Sequence, residues 1–175
     1  IFPWGGGIAA DASGVYFAWD SGSPFLATPG AYQTGLSGCD ALIVKFRSDG
    51  TAPVWATYFG DSGDESVSGL CLDPSGNVII SGSTTSSGGV ASAGAHQTGF
   101  GGIGTNSAGD MFIAKFNSAG ARQWSTYYGG TGDELPGPVV SDASGNVFIC
   151  GSTESTGANV IASGTGYQST FAGGA

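Results

Sequence analysis

Only four basic residues, Lys45, Arg47, Lys115 and Arg122, stand among the 175 of this chain, against thirteen carboxylates, and the formal charge is −9. That scarcity excludes a nucleic-acid-binding surface, since such affinity comes mostly from Lys and Arg neutralising phosphates. The same negative field repels anionic membranes. Histidine occurs once, at His96, so no His-based zinc cluster can form and a Ser-His-Asp triad would rest on this residue alone. The cysteines, Cys39, Cys71 and Cys150, are odd in number and lack a C-x-x-C spacing, which indicates neither a zinc knuckle nor a full disulfide framework. No apolar run reaches the length of a bilayer crossing, so membrane insertion is not expected. No Asn-x-Ser/Thr acceptor occurs. No Met, basic region or apolar h-region opens the chain, and Ile1 reads as a processed or excised start. Capped helical periodicity is missing too, and thirty-four glycines recur too often to permit it.

What is present is repetition, over a composition that is 40% apolar and able to fill one sizeable core. The stretch CDALIVKFRSDGTAPVWATYFGDSGDE, from Cys39 to Glu65, returns as GDMFIAKFNSAGARQWSTYYGGTGDE, from Gly109 to Glu134. Asp40 matches Asp110, Ile43 Ile113, Lys45 Lys115, Phe46 Phe116 and Gly50 Gly120. After one residue is lost in a turn, Trp55 matches Trp124, Tyr58 Tyr127, Gly63 Gly132, Asp64 Asp133 and Glu65 Glu134. Such a period is the mark of stacked equivalent units.

A second element occurs three times: IAADASGVYFA from Ile8, LCLDPSGNVIIS from Leu70 and VVSDASGNVFIC from Val139. Each is an apolar run, an Asp-x-Ser-Gly turn and a β-branched or aromatic run. The Asp side chain accepts bonds from its own turn and Gly takes positive φ, which is hairpin chemistry. Strands are expected near residues 7–11, 15–20, 41–46, 54–59, 67–72, 77–82, 110–116, 123–128, 138–142 and 146–151. Four antiparallel strands per unit is the layout of a propeller blade. The expected fold is therefore all-β, a partial propeller of about two and a half blades, with units at about 1–60, 61–129 and 130–175.

WATYFGDSGDE, LDPSGNVIISGST, AYQTG, DALIVKF and WSTYYGGTGDE resemble the β-propeller repeat of the SBBP type, found in large bacterial secreted and surface proteins. The resemblance runs from about Gly7 to Phe171. It implies a propeller and an extracellular scaffold or interaction role, because that family carries no shared catalytic chemistry. Fold does not give function.

The candidates for chemistry are few. AYQTG, AHQTG and GYQST align Tyr32, His96 and Tyr167, so His96 fills an aromatic slot. The acidic turns GDSGDES and GGTGDEL carry Asp61, Asp64 and Glu65 in one copy and Asp133 and Glu134 in the other. Calcium takes six to eight oxygens, which short Asp/Gly/Ser loops supply, so these five are candidate calcium ligands; the competing reading is turn-forming hydrogen bonds. Adjacent carboxylates in an extended segment point to opposite sides, which argues against a glycosidase pair. The Asp11, Asp73 and Asp142 series belongs to turns and Trp55 and Trp124 to packing; the cysteines are expected as buried free thiols, with a disulfide as the alternative. Trp19 and Asp20 stand where other units have Gly82-Ser83 and Gly151-Ser152, and are candidate partner or sugar contacts; the competing reading is that the aromatic fills a gap beside the shortened N-terminal turn. The loop from about Thr84 to Gly109 is longer than its counterpart, with a Ser/Thr-rich start suited to O-linked sugar.

These observations lead to the expectation of a non-catalytic extracellular or cell-surface propeller module, structural or adhesive, within a larger protein or appendage. The alternatives are a carbohydrate- or calcium-binding module, or a non-catalytic part of a polysaccharide-acting enzyme. Neither IFPWGGG nor TFAGGA reads as a polar cap, so the ends are expected to be completed by further blades of a longer chain or by neighbouring subunits.

Overall fold

The computed structural model describes residues 5–156, 161–163 and 165–168. These form ten strands and no helix: β1 (Gly7–Asp11), β2 (Gly14–Ser21), β3 (Asp40–Phe46), β4 (Pro53–Phe59), β5 (Glu65–Leu72), β6 (Val78–Thr84), β7 (Asp110–Phe116), β8 (Arg122–Tyr128), β9 (Glu134–Ser141) and β10 (Val147–Thr153). A strand occupies every window expected from the sequence. Sheet I is the antiparallel meander β1-β2-β3-β4, sheet II the meander β5-β6-β7-β8, and sheet III the antiparallel pair β9-β10. Of the segments read as uncapped, residues 1–4 of IFPWGGG and all of TFAGGA (170–175) lie outside the described residues.

The Asp-x-Ser-Gly turns fold through their aspartates. Asp73 Oδ1 accepts the N–H groups of Ser75 and Asn77 at 2.8 and 2.9 Å, and Asp142 does the same with Ser144 and Asn146 at 2.8 Å each. Asp11 closes a shorter turn, accepting from Ser13 and Gly14. The β-strands after these turns share one register: Val15 pairs with Phe46 as Val78 pairs with Phe116.

β5 and β9 begin earlier than expected, at Glu65 and Glu134. Both glutamates are enclosed and pair across the ladder with Thr84 and Thr153, which holds the strand ends in place. β9 tolerates Pro136 and Pro138 because it has one ladder partner only, leaving its other edge without a need for N–H donors.

Sheets I and II meet face to face. Tyr16, Ala18, Ile43, Trp55 and Phe59 of sheet I pack on Val67, Leu70, Val78, Ile80, Phe112 and Phe116 of sheet II. The Phe59 ring lies 5.2 Å from Phe112 and 5.8 Å from Phe116, centroid to centroid. A fully buried Phe contributes about 1.5–3 kcal/mol, so this layer dominates the cohesion of the two sheets. Trp55 also donates its indole N–H to Ser118 O at 2.9 Å, tying β4 to the β7–β8 turn. At the first strands the backbones close up: a Cβ on Gly7 would run into Leu70, and one on Gly69 would lie 2.8 Å from Val139 N. On the other face of sheet I, Leu42, Val44, Ala56 and Tyr58 are covered by Ala27 and Leu36 of the β2–β3 loop and by Phe46.

Candidate functional site

The most unusual chemistry in the fold occurs twice, at the two junctions between successive sheets. At the first, Asp40 opens β3 and Glu65 opens β5, and both side chains are closed off from solvent. Asp40 Oδ2 accepts from Gln33 Nε2 at 2.7 Å and from Ser37 N at 3.2 Å. Gln33 Oε1 in turn accepts the N–H of Gly60 at 3.1 Å. Glu65 Oε1 accepts the Thr84 hydroxyl at 2.5 Å, and Oε2 accepts Asp61 N at 3.2 Å. That leaves Asp40 Oδ1 buried without a donor. Its neighbour is the other carboxyl: a Cβ on Gly60 would lie 2.6 Å from Asp40 Oδ1 and run into Glu65 Oε2.

The second junction repeats this atom by atom. Asp110 Oδ2 accepts from Gln97 Nε2 at 3.1 Å and Gly101 N at 2.8 Å, and Gln97 Oε1 accepts Gly129 N at 3.0 Å. Glu134 Oε1 accepts the Thr153 hydroxyl at 2.7 Å and Oε2 accepts Gly130 N at 3.3 Å. Asp110 Oδ1 is again buried without a donor, beside Gly129 and Glu134 Oε2.

Two enclosed carboxyls with an unpartnered oxygen between them cannot both ionise cheaply. Burial pushes Asp40 up to about 6, with the charges of Asp61 and Asp64 adding to it, and burial pushes Asp110 up to about 6, with Glu134 adding. Burial also raises Glu65. No cation relieves them, because the four basic side chains are engaged elsewhere. Lys45 bonds Ser13 Oγ at 2.9 Å and Lys115 pairs with Asp73 at 2.7 Å. Arg47 reaches Asp49, and Arg122 lies over the Tyr32 ring. The arrangement favours the protonated acid at Asp40 and at Asp110, whose Oδ1 atoms no donor reaches. Being enclosed, these groups cannot touch a substrate in the folded chain.

The carboxylates singled out from the sequence are dispersed. Asp64 Oδ1 accepts Cys39 N at 3.1 Å. Asp133 Oδ1 accepts the N–H groups of Gly104, Ala108 and Gly109 at 2.9, 2.9 and 3.0 Å, and Oδ2 that of Asn106 at 2.5 Å. Burial works against its charge, but these four donors prevail and hold Asp133 below the ordinary range. Asp61 stands against Gly89, whose φ is +69°. Among the described residues, no group of three or more His, Cys, Asp or Glu side chains comes together as a metal cluster. The longer loop before β7 is accounted for: it wraps Asp133.

Trp19 is 38% exposed and lies with Val15, Phe17, Phe46 and the 47–50 turn along an open groove of about 590 Å3. Asp20 Oδ1 is buried without a donor on the same strand. His96 stacks on Tyr128 at 5.8 Å, as Tyr32 stacks on Phe59 at 6.5 Å, so the histidine does fill the aromatic slot. The thiols are free, yet they are not buried as expected: Cys39 and Cys71 are half-buried and Cys150 is exposed. Cys150 sits on β10 at the position of Ala18 and Ser81, which the following sheets cover, and among the described residues no sheet follows sheet III.

Sequence reasoning missed the role of Asp40, Asp110, Gln33 and Gln97. The signal was available, because all four recur in phase, but the Glu was grouped with its chain neighbour Asp64 or Asp133 rather than with the distant Asp it meets in space. A scan against models of known protein families finds no match, and no curated protein sequence matches the chain.

Proposed function

We propose that the chain is a non-catalytic extracellular scaffold segment whose sheets are blades of a propeller of the SBBP type. It serves as a structural or adhesive part of a larger secreted or cell-surface assembly, in which further blades or neighbouring subunits complete the array. The observation that carries this reading is the fate of the repeated polar groups. Asp40 with Gln33 and Glu65 with Thr84, and again Asp110 with Gln97 and Glu134 with Thr153, are enclosed about the glycine at each sheet junction and not turned to solvent. Chemistry that recurs with the packing unit and is sealed inside it is chemistry of assembly. Scarce lysine and abundant glycine, serine and threonine support the extracellular placement.

Two measurements test the reading. Electron microscopy of the full-length secreted protein should show sheets arrayed radially about a channel; a linear stack refutes the propeller. Calorimetry with calcium and a glycan array should both be silent, and saturable binding in either replaces the scaffold with a binding module.

A further inference from the structure

The outer strand of each four-stranded sheet, β4 and β8, has a ladder partner on one side only. Its free side is nevertheless closed, and by the same device twice. Residues 28–38 run along β4: Thr28 N donates to Ala56 O at 2.9 Å, Ala56 N donates back to Thr28 Oγ1 at 3.0 Å, and Gln33 O accepts Tyr58 N at 3.1 Å. Residues 92–109 run along β8 with the same bonds, Ser92 N to Ser125 O at 2.9 Å, Ser125 N to Ser92 Oγ at 3.2 Å and Tyr127 N to Gln97 O at 3.2 Å. Each segment straps an edge whose N–H and C=O groups would otherwise stand open. Each also leads to an enclosed aspartate and supplies its donors, Gln33 and Ser37 for Asp40, Gln97 and Gly101 for Asp110.

We propose that residues 28–38 and 92–109 are pH-sensitive straps, each seated tightly on its strand edge in acid and released more readily, one independently of the other, as the solution turns neutral. Closed, a strap serves only Oδ2 of its aspartate. Oδ1 lies buried without a donor, beside Gly60 and Glu65 at one junction and beside Gly129 and Glu134 at the other, so a negative charge there is poorly solvated until the strap lifts and water takes its place. The strap is the wall that can move, because β3 and β5, like β7 and β9, are held by ladders and it is not. Linkage gives the sign and size. With Asp40 at about 6 when closed and at its ordinary 3.8 when hydrated, release gains about fiftyfold between pH 4 and 8; Asp110 does the same for the second strap. The surroundings offer no competing cation. Asp40 is faced by Glu65 of β5, by Asp61 and Asp64 of the turn before it and by the Cys39 thiol, which these carboxylates and burial hold protonated. Asp110 is faced by Glu134 of β9 and by the Tyr127 hydroxyl of β8, which burial pushes up to about 12. Arg122 lies over Tyr32 of the first strap but bonds Val90 and Ser125, not either aspartate. Asp133, gripped by four N–H groups of the second strap, holds in the opposite sense, but that hold is present above 3.8 and fades only as pH falls. The inference goes beyond the scaffold reading and does not depend on it.

The test follows amide hydrogen exchange by NMR on the full chain across the same pH range, with each rate divided by that of an unstructured peptide. The N–H groups of Tyr58 and Gly60, bonded to Gln33, report the first strap, and those of Tyr127 and Gly129, bonded to Gln97, report the second. Both pairs should exchange faster than the ladder amides of β6 and β7 and should lose protection about fiftyfold as pH rises. Asp40→Asn should flatten the profile at Tyr58 and Gly60 alone, and Asp110→Asn that at Tyr127 and Gly129 alone. His96 stands on the second strap, so that arm carries His96→Tyr in every sample and histidine cannot supply the effect. Should Asp40→Asn fail to fold, Asp110→Asn carries the test on the second strap. Strap-bonded amides that exchange no faster than the β6 and β7 ladder open only with the whole fold and overturn the proposal. Protection that does not change with pH overturns it too, as does one variant that flattens both straps.

Discussion

Replacing Asp40 by Asn should make the protein more stable at neutral pH and leave it unchanged near pH 4. In the unfolded chain Asp40 ionises near its ordinary 3.8, whereas in the fold burial holds its proton to about 6. Between those values the folded state binds more protons than the unfolded, so stability falls as pH rises. A difference of about two pH units corresponds to roughly 3 kcal/mol, lost between pH 4 and 6 and not regained above. Asp110 adds a similar loss at the second junction. Asp73 acts in the opposite sense: Asn77 and Lys115 overcome the cost of its burial and lower it to about 2, so its stabilisation is complete above 3.8 and fades as pH falls towards 2. Maximum stability is therefore expected near pH 4. Asn at position 40 mimics the protonated acid, with its oxygen still accepting from Gln33 and Ser37 and its amide in the place of the unpartnered Oδ1. Urea unfolding of wild type, Asp40→Asn, Asp110→Asn and the double variant from pH 4 to 8 reads the effect directly. Each single variant should gain about 2–3 kcal/mol at pH 8 and stay within about 0.5 kcal/mol of wild type at pH 4. Parallel wild-type and variant profiles, or a loss at pH 8, would refute the retained protons of Asp40 and Asp110.

Three further substitutions probe the same architecture. Lys115→Met strands the Asp73 carboxylate, whose side chain is 4% exposed, and should cost about 3 kcal/mol by chemical denaturation; Lys45→Met, which loses only a hydroxyl partner and a ring contact, should cost about 1 kcal/mol. His96→Tyr should stay within about 1 kcal/mol of wild type in the same assay, because Tyr32 already occupies the equivalent slot. Gly129→Ala should cost more than about 3 kcal/mol or prevent folding, as its methyl would enter the space of the Asp110 and Glu134 carboxyls; a neutral effect in a thermal melt would show that the carboxyls can part freely.

The sheets were legible in the sequence because their signals are local. Asp-x-Ser-Gly turns carry their own acceptor, and runs such as DALIVKF and DMFIAKF need no distant partner to read as strands. The recurrence of Asp40 and Glu65 is legible but their pairing is not, since Glu65 finds Asp40 only after β4 has returned alongside β3 and the chain has crossed to the next sheet. The strand ends were misplaced for the same reason: Glu65 and Glu134 are poor strand formers by propensity, and they are held in the ladder by Thr84 and Thr153 from the neighbouring strand. Exposure of Cys150 escaped notice because its counterparts Ala18 and Ser81 are both covered by a following sheet, a condition that no residue near Cys150 reports.

The two junctions differ where it is most instructive, in the chain between glutamine and aspartate. Gln33 reaches Asp40 across a separation of 7 residues, while Gln97 reaches Asp110 across 13, yet both amides make the same bond to Oδ2 and both carbonyl oxygens accept from the glycine that follows the aromatic strand. Loop length therefore does not set the geometry of the carboxyl pair. What sets it is the fixed end of a β-strand at the aspartate, another at the glutamate, and a glutamine whose backbone N–H is held by Thr57 or Thr126. The extra residues of the second loop are free for another task and take one, wrapping Asp133 with four N–H groups where Asp64 receives a single bond from Cys39. A repeat that keeps its junction while its loops vary in length separates the part of the sequence that stacks sheets from the part that decorates them, and the stacking part is the one that both copies share.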